Sequence, residues 1–529
     1  VAIKAVAISD RRACMSPDPA DMVSPSQVVV IDRSRLTSDW KRRPLVNRPQ
    51  THRRIAEARR PCGRLGGPKA EETTMNEGFV SRREFVSGCA GGAALAAAVQ
   101  AGFAADLAAV TPADTLADYV ASRDPSTAVE VLGSGEAAGG RWRTCRLTSQ
   151  TWKGVPWEHE LSMFMPADAR DAGRMILWID GGGRKKVPQD AVVAPGDAMQ
   201  ILAAVGNASG LPTAVVRQVP FQPMFGDLRE DGLIAHTFVE YTKTGDPSWP
   251  LLLPMVKAAV EAMNAASAQA AEHWGHGIDE FVVTGASKRG WTTWLSAAVD
   301  ERVKGIVPMV IDMLSLGDHV KLQVASFGRM SEELGDYTSR GIEKLLATPR
   351  GRELVQIVDP FSYRDRYTMP KVIALGTNDP YWPLEACSIY YDRLPGPRWV
   401  SYAPNAGHGL PLVRVAALVA AVGRHVAGIE PLPPVEWSFT DDGRGGAECV
   451  VRCDAKPERV VLWTASAGTR DFREARWSAE PVAAAGPEWR VPLPAPREGF
   501  AAGLVELEFA REPVPLMLTS GVKVLSSRG

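Results

Sequence analysis

A short apolar run, Phe281-Val282-Val283-Thr284, ends directly in Gly285-Ala286-Ser287-Lys288-Arg289-Gly290 and passes at once into a helix-like stretch. No other segment limits the fold as strongly. A strand that turns this sharply into a helix is half of a βαβ unit, and the tight turn lifts a serine hydroxyl clear of the strand end, where it can act as a nucleophile. The usual turn is Gly-x-Ser-x-Gly, whose second glycine lets helix and strand pack closely. Here Arg289 holds that position and the glycine comes one residue later, as Gly290. Ser287 is therefore read either as a nucleophile or as the N-cap of the helix that follows.

Two later segments carry what a serine needs in order to react. Asp379, in Gly376-Thr377-Asn378-Asp379-Pro380, follows the apolar strand Lys371 to Leu375. Of the eight histidines, His408 lies in Asn405-Ala406-Gly407-His408-Gly409, between the strand Trp399 to Ala403 and the apolar helix Leu410 to Ala427. A serine hydroxyl is a weak nucleophile until an imidazole takes its proton, and the imidazole needs a carboxylate to fix its tautomer. Serine, acid and histidine occur in the order of the α/β-hydrolases, each just past the C-terminal end of a strand. Asp312, after the strand Gly305 to Ile311, is the alternative acid, or else caps a helix starting near Met313.

The strand Met175-Ile176-Leu177-Trp178-Ile179 runs into Asp180-Gly181-Gly182-Gly183. This resembles the glycine turn of esterases, in which bare backbone N–H groups face a developing oxyanion. Gly182 and Gly183 are the candidates, with the Lys288 N–H as second donor; the alternatives are a flexible loop or a phosphate nest. No Gly-Lys-Ser/Thr closes a phosphate-binding loop, and the third glycine of a dinucleotide fingerprint is missing, so no nucleotide cofactor is expected.

Over 529 residues, 45% hydrophobic content is that of a globular chain, and a net charge of −1 gives no support for binding nucleic acid. Residues 1–74 differ: about two basic residues stand for each acidic one, prolines are frequent and no period persists, so disorder is expected there. The chain opens on Val1 with Met75 just ahead of a signal-like segment, which suggests a start assigned too far upstream. In 75–105, Ser81-Arg82-Arg83-Glu84-Phe85-Val86 matches the twin-arginine export pattern, followed by an alanine-rich run too short and mild to span a bilayer. A lipobox at Cys89 is set aside, because almost no apolar stretch separates it from the arginines. A periplasmic or secreted bacterial protein without a stable membrane span is the expectation. Of seven cysteines only Cys449 and Cys453 are close, and both face the same way on one strand, an awkward geometry for a bridge. No His/Cys cluster has ligand spacing, so no metal is expected.

Residues 112–430 alternate strands and helices: an opening antiparallel pair (Arg141 to Thr148, Leu161 to Met165), the strands at Met175 and Thr213, the helix Pro254 to Ala271, then the serine turn. Alternation of this kind predicts an α/β fold, a mostly parallel sheet with helices on both faces. A helical stretch at 313–370 interrupts it, as a lid over the site or as plain decoration. After Leu432-Pro433-Pro434 the pattern changes to short strands, predicting a small all-β sandwich over 434–526. Its Trp477 and Trp489 are core residues or a carbohydrate platform.

With these residues in view, the chain resembles the PhoPQ-activated pathogenicity-related family from about Tyr119 onward. The resemblance rests on Trp157-Glu158-His159-Glu160-Leu161, Gln218-Val219-Pro220-Phe221-Gln222-Pro223, Leu253-Pro254-Met255-Val256-Lys257, the serine turn through Trp291, Val358-Asp359-Pro360, Leu394-Pro395-Gly396, Pro404 to Gly409, and Arg470-Asp471-Phe472-Arg473. It implies an α/β-hydrolase-like domain followed by a small β-rich one, and gives little about substrate. Where the family has aromatic residues directly after the acid, Pro380 here precedes Tyr381-Trp382. A looser resemblance, to glucuronoyl esterases, whose serine turn also carries a basic residue after the nucleophile, implies that Lys288 or Arg289, where it points into the pocket, meets an acidic substrate or supports the oxyanion; the alternative is a solvated helix surface. The expectation is a serine hydrolase acting on a small ester. A peptidase is the second reading, and a non-catalytic envelope or surface protein of hydrolase shape the third. Oligomeric state is left open.

Overall fold

The computed structural model describes residues 112–184, 197–483 and 486–527. The expected disordered start and twin-arginine segment lie outside the described residues.

The centre of the molecule is one long mixed sheet. Its first half comprises β1 (Ala128–Ala137), β2 (Gly140–Trp152), β3 (Val155–Pro166), β4 (Arg174–Ile179), β5 (Thr213–Val216), β6 (Glu280–Ala286), β7 (Val303–Met309), β8 (Lys371–Gly376) and β9 (Arg398–Ala403), in the spatial order β1-β2-β3-β5-β4-β6-β7-β8-β9. Strands β1, β2 and β3 pair antiparallel with one another, as does β3 with β5; the strands from β5 to β9 are mutually parallel. A parallel sheet covered on both faces needs strands that are apolar on both sides. In β4, Met175, Leu177 and Ile179 face one core and Ile176 the other; in β6, Phe281 and Val283 face the first and Val282 the second. The helices Leu252–Trp274 and Lys288–Val299 fill the first face, and Leu412–Val426 covers the second. The chain leaves β4 for β5 on one side while β6 takes the other. That reversal opens a crevice at the C-terminal ends of β4 and β6, the place where open α/β sheets bind ligands.

Beyond β9 the sheet continues. Five later strands, β12 (Arg459–Ala467), β13 (Ser478–Pro481), β15 (Phe500–Phe509), β16 (Leu516–Thr519) and β17 (Lys523–Ser526), extend it, with Thr519 of β16 opposite Val400 of β9. A separate three-stranded sheet, β10 (Glu436–Asp441), β11 (Ala447–Arg452) and β14 (Glu488–Leu493), packs on them through Cys449, Val451, Trp489 and Val491 against Val505, Leu507 and Leu518. The C-terminal sandwich thus shares one of its two sheets with the hydrolase core. A buried ion pair, Arg414 Nη1 to Glu506 Oε2 at 2.7 Å, ties the helix Leu412–Val426 to β15. Trp477 and Trp489 are both buried, so neither forms an exposed platform. The cysteines of the described chain are free thiols, and all four are buried.

The segment between β7 and β8 is helical: Leu316–Phe327, the short turns Glu332–Leu334, Gly335–Thr338 and Ile342–Leu345, then Pro349–Val358 and a 3₁₀ turn Pro360–Arg366. Its first helix starts at Leu316, and its exposed N–H groups are capped from afar. The buried Asp359 carboxylate accepts from the Ser315 and Leu316 N–H groups at 3.2 and 2.8 Å.

Candidate active site

Ser287 sits between β6 and the helix Lys288–Val299 with φ +57° and ψ −125°, a conformation costly for a residue with a Cβ. The close packing of its neighbours holds it there. A Cβ on Gly285 would lie 2.7 Å from the Arg289 carbonyl oxygen, and one on Gly290 would lie 2.8 Å from Ile311 Cγ2 and 2.9 Å from the Met309 carbonyl oxygen. The glycine needed for close approach is therefore Gly290, while Arg289 turns its side chain elsewhere. Beyond β9, His408 places Nε2 2.9 Å from Ser287 Oγ. Its Nδ1 lies 3.0 and 2.9 Å from the two oxygens of Asp379, which follows β8 and is buried. With Nδ1–H donated to the carboxylate, Nε2 is the lone-pair nitrogen facing the serine hydroxyl. Three segments widely separated in sequence meet at one rim of the sheet.

Asp312 goes elsewhere. It is fully buried and accepts from the Tyr390 hydroxyl at 2.7 Å. Burial, with the charge of Asp379 nearby, lifts its pKa to about 7 despite the Tyr390 bond. As Asp359 caps the helix at Leu316, the helix-capping alternative for Asp312 also falls away.

The acid loop turns at Pro380, and the inserted helices brace it there. Ser331 Oγ donates to the Pro380 carbonyl at 2.6 Å, and Gln323 Nε2 donates to the Tyr381 carbonyl at 2.7 Å. The Tyr381 N–H returns to Asp379 Oδ1 at 2.9 Å, and the Tyr381 ring packs on the His408 imidazole at 4.3 Å between centroids. From the opposite side, Asn378 Nδ2 donates to the carbonyls of Phe472, Arg473 and Ala475. Asn405, at the start of the histidine loop, exchanges two hydrogen bonds with the Trp477 backbone.

The expected cations are neutralised. Lys288 Nζ is 2.8 Å from Asp231 Oδ2, and Arg289 forms a two-pronged pair with Glu230 at 2.8 and 2.7 Å while its Nε donates to the Val219 carbonyl. Burial pushes the Glu230 pKa up, but the Arg289 hydrogen bonds and charge outweigh it and leave the carboxyl below its ordinary value. The expectation that Lys288 or Arg289 offers a cation to an acidic substrate is corrected: each is committed to a carboxylate of the chain itself. The same Glu230 ties the serine turn to the glycine turn. Gln222 Nε2 donates to both Glu230 Oε1 and the Gly182 carbonyl, and Gln222 Oε1 accepts the Glu230 N–H at 2.8 Å. Gly182 has φ +131°, open to glycine and strained for other residues. Gly183 pairs with Gln222 in a single parallel bridge. Lys288 is the first residue of its helix, so its backbone N–H has no acceptor inside that helix.

A pocket opens beside Ser287 and Lys288. The core supplies Phe238, Trp291 and Ile311 to its wall; the inserted segment supplies Leu334, Ile342 and Leu346. Of the two readings of the insertion, lid or decoration, these contacts make it the outer wall of the cavity. His319 also lines it and is fully buried; burial drives its pKa down to about 3. Gln222, Glu230, Asp231, Tyr337 and the two asparagines were not singled out as site residues in the sequence. Gln222, in the Gln218 to Pro223 motif, Asn378, in the acid loop, and Asn405, in the Pro404 to Gly409 motif, stood in segments the sequence had marked.

Strand order, the strained serine turn, and the acid and histidine past successive strand ends make this an α/β-hydrolase fold. The family model described as "PhoPQ-activated pathogenicity-related protein" matches residues 116–473, and the chain belongs to that family. It is 33% identical over 349 residues to autocrine proliferation repressor protein A of Dictyostelium discoideum, covering 62% of this chain and 69% of that protein. Among solved structures it is similar to an acetyl xylan esterase from Paenibacillus sp. R4, at 14% identity and a TM-score of 0.42 over 60% of this chain and 92% of that one. It is also similar to acetyl xylan esterase 1 from Thermoanaerobacterium sp. JW/SL YS485, at 14% identity and a TM-score of 0.38, with the same two coverages.

Proposed function

We propose that this protein is an exported serine hydrolase that transfers an acyl group from a small carboxylic ester to water. The observation that carries the reading is His408 lying within hydrogen-bond reach of both Ser287 Oγ and Asp379. Ser287 attacks the ester carbonyl as His408 Nε2 takes its proton; the imidazolium so formed is stabilised by Asp379 and gives that proton to the departing alkoxide. The tetrahedral oxyanion is held by the Lys288 N–H and by the glycine turn at Gly182 and Gly183, each donor supplying a few kcal/mol in the transition state. Water, activated by His408, then releases the acid. Supporting this reading are the strain at Ser287, the Gln222–Glu230–Arg289 links that hold the two turns together, and the cavity that starts at the serine. The twin-arginine pattern at Ser81 to Val86 supports action outside the cytoplasm.

The test is steady-state turnover of p-nitrophenyl esters and aminoacyl p-nitroanilides by the processed protein and by Ser287→Ala. Ester turnover should be lost at least 1,000-fold in the variant, with the anilides left near background. Equal turnover by both proteins would exclude the mechanism, and anilides turned over faster than esters would make it a peptidase.

A further inference from the structure

Resting on that reading, we propose that the cavity beside Ser287 is an acyl-binding pocket and that the ester this site cleaves carries an uncharged, apolar acyl group longer than acetyl.

The direction of the pocket follows from proton transfer. His408 must reach the leaving oxygen, so the alcohol part of the ester lies on the imidazole side. Ser287 and Lys288, whose N–H faces the oxyanion, line the cavity directly, whereas the imidazole side meets it through the Tyr381 ring that packs on His408, so its space lies toward the other half of the ester, the acyl group. The wall chemistry sets the class. Most of it is aliphatic or aromatic, with Met313, Leu316, Val320 and Met330 adding to the side chains already described. Its charged groups are one ammonium, Lys288, and two carboxylates, Asp231 and Glu343, and the ammonium is already paired with Asp231. An acidic acyl group would meet no free cation there and would face an anion.

The polar wall residue His319 fits an uncharged guest. The Ser331 N–H donates to Gln323 Oε1 at 2.9 Å, which fixes the orientation of that amide. Gln323 Nε2 then faces His319 Nε2 at 3.2 Å as a donor, so Nε2 accepts and the ring is neutral with its proton on Nδ1. A neutral imidazole gives a carboxylate no charge to bind. The pocket is also pre-formed: the Tyr337 hydroxyl donates to Asp231 at 2.9 Å, and Asp231 binds Lys288, so the inserted wall is linked to the residue next to the nucleophile.

The experiment uses the full processed chain with p-nitrophenyl acetate, butyrate, hexanoate and succinate, alongside fluorophosphonate labelling of the same preparation. Each buried methylene should raise kcat/KM about fourfold until the pocket fills, so butyrate, two methylenes longer, should exceed acetate by about 15-fold, with succinate slowest. Leu334→Trp, and the milder Ile342→Phe, narrow the pocket and should cut the hexanoate-to-acetate ratio by about tenfold, while near-ultraviolet circular dichroism checks folding. A protein that labels and turns over esters but prefers acetate or succinate overturns the pocket assignment and leaves the hydrolase reading standing. So does a folded Leu334→Trp or Ile342→Phe variant with an unchanged ratio. Absence of both labelling and turnover overturns the hydrolase reading itself.

Discussion

At the scale of single residues, two carboxylates lie close together with different roles. Asp379 is bonded to His408, whereas Asp312 is bonded to Tyr390 and held toward its protonated form by burial. Asp379→Asn should therefore lower kcat by about 1,000- to 10,000-fold with little change in folding, because it spoils the tautomer of His408. Asp312→Asn keeps an acceptor for Tyr390 and should cost less than about tenfold; comparable losses in both variants would contradict the assignment. Asp312 also predicts a pH dependence of stability. Its folded pKa of about 7 lies above the unfolded value, so the folded state holds a proton that the unfolded chain has released. The resulting stabilisation is complete below about pH 4 and is lost as pH rises through about 7. Urea midpoints at pH 5.5 and pH 8 should differ less in Asp312→Asn than in the native protein, and an unchanged difference would sink the claim. Asp359, raised to about 6 by burial, leaves part of the slope in place in either case.

At the scale of elements, the site is a set of loops braced from two sides. Asn405 joins the histidine loop to the Trp477 backbone, and Asn378 joins the acid loop to three carbonyls of 472–475. Removing the Asn405 amide by Asn405→Ala leaves partly buried groups unpaired, at a cost of about 1–3 kcal/mol. Because the loop carries His408, kcat should fall while KM moves little; a stability loss with unchanged kcat would make Asn405 structural only. The segments holding Ser287, Asp379 and His408 were legible in the sequence because each sits just past an apolar strand, where side-chain type and position can be read together. The partners of Lys288 and Arg289 were not. Glu230 and Asp231 look like an ordinary acidic first turn of a helix, and only folding brings them onto the serine turn. The displaced glycine reads as a defect along the chain, yet in space Gly290 is the residue against the Met309 carbonyl.

At the scale of the molecule, the C-terminal strands act as a brace for the hydrolase core. The sequence showed a change to β texture after Pro434, but not that β16 pairs with β9, since a four-residue strand has little periodicity of its own. Strands β1, β10 and β13 were missed for related reasons. β1 is glycine-containing and mostly exposed, and β13 is four exposed residues held by its partner β12. Deleting residues 435–527 would bare the edge of β9, unpair the buried Arg414 and cut both loop braces. The truncated chain should be insoluble or rapidly degraded in limited proteolysis; a stable, active fragment ending near Pro434 would contradict the shared-sheet architecture. In the hydrolase half, the opening antiparallel pair, the parallel alternation and the helical insertion were readable, because buried parallel strands are continuous apolar runs.

The most direct measurement is peptide mapping of a fluorophosphonate adduct on the folded protein by mass spectrometry. The account predicts one stoichiometric adduct, on the peptide holding Ser287, slowed at least 1,000-fold in His408→Ala. An intact protein that stays unlabelled, or whose adduct maps to another residue, would contradict it.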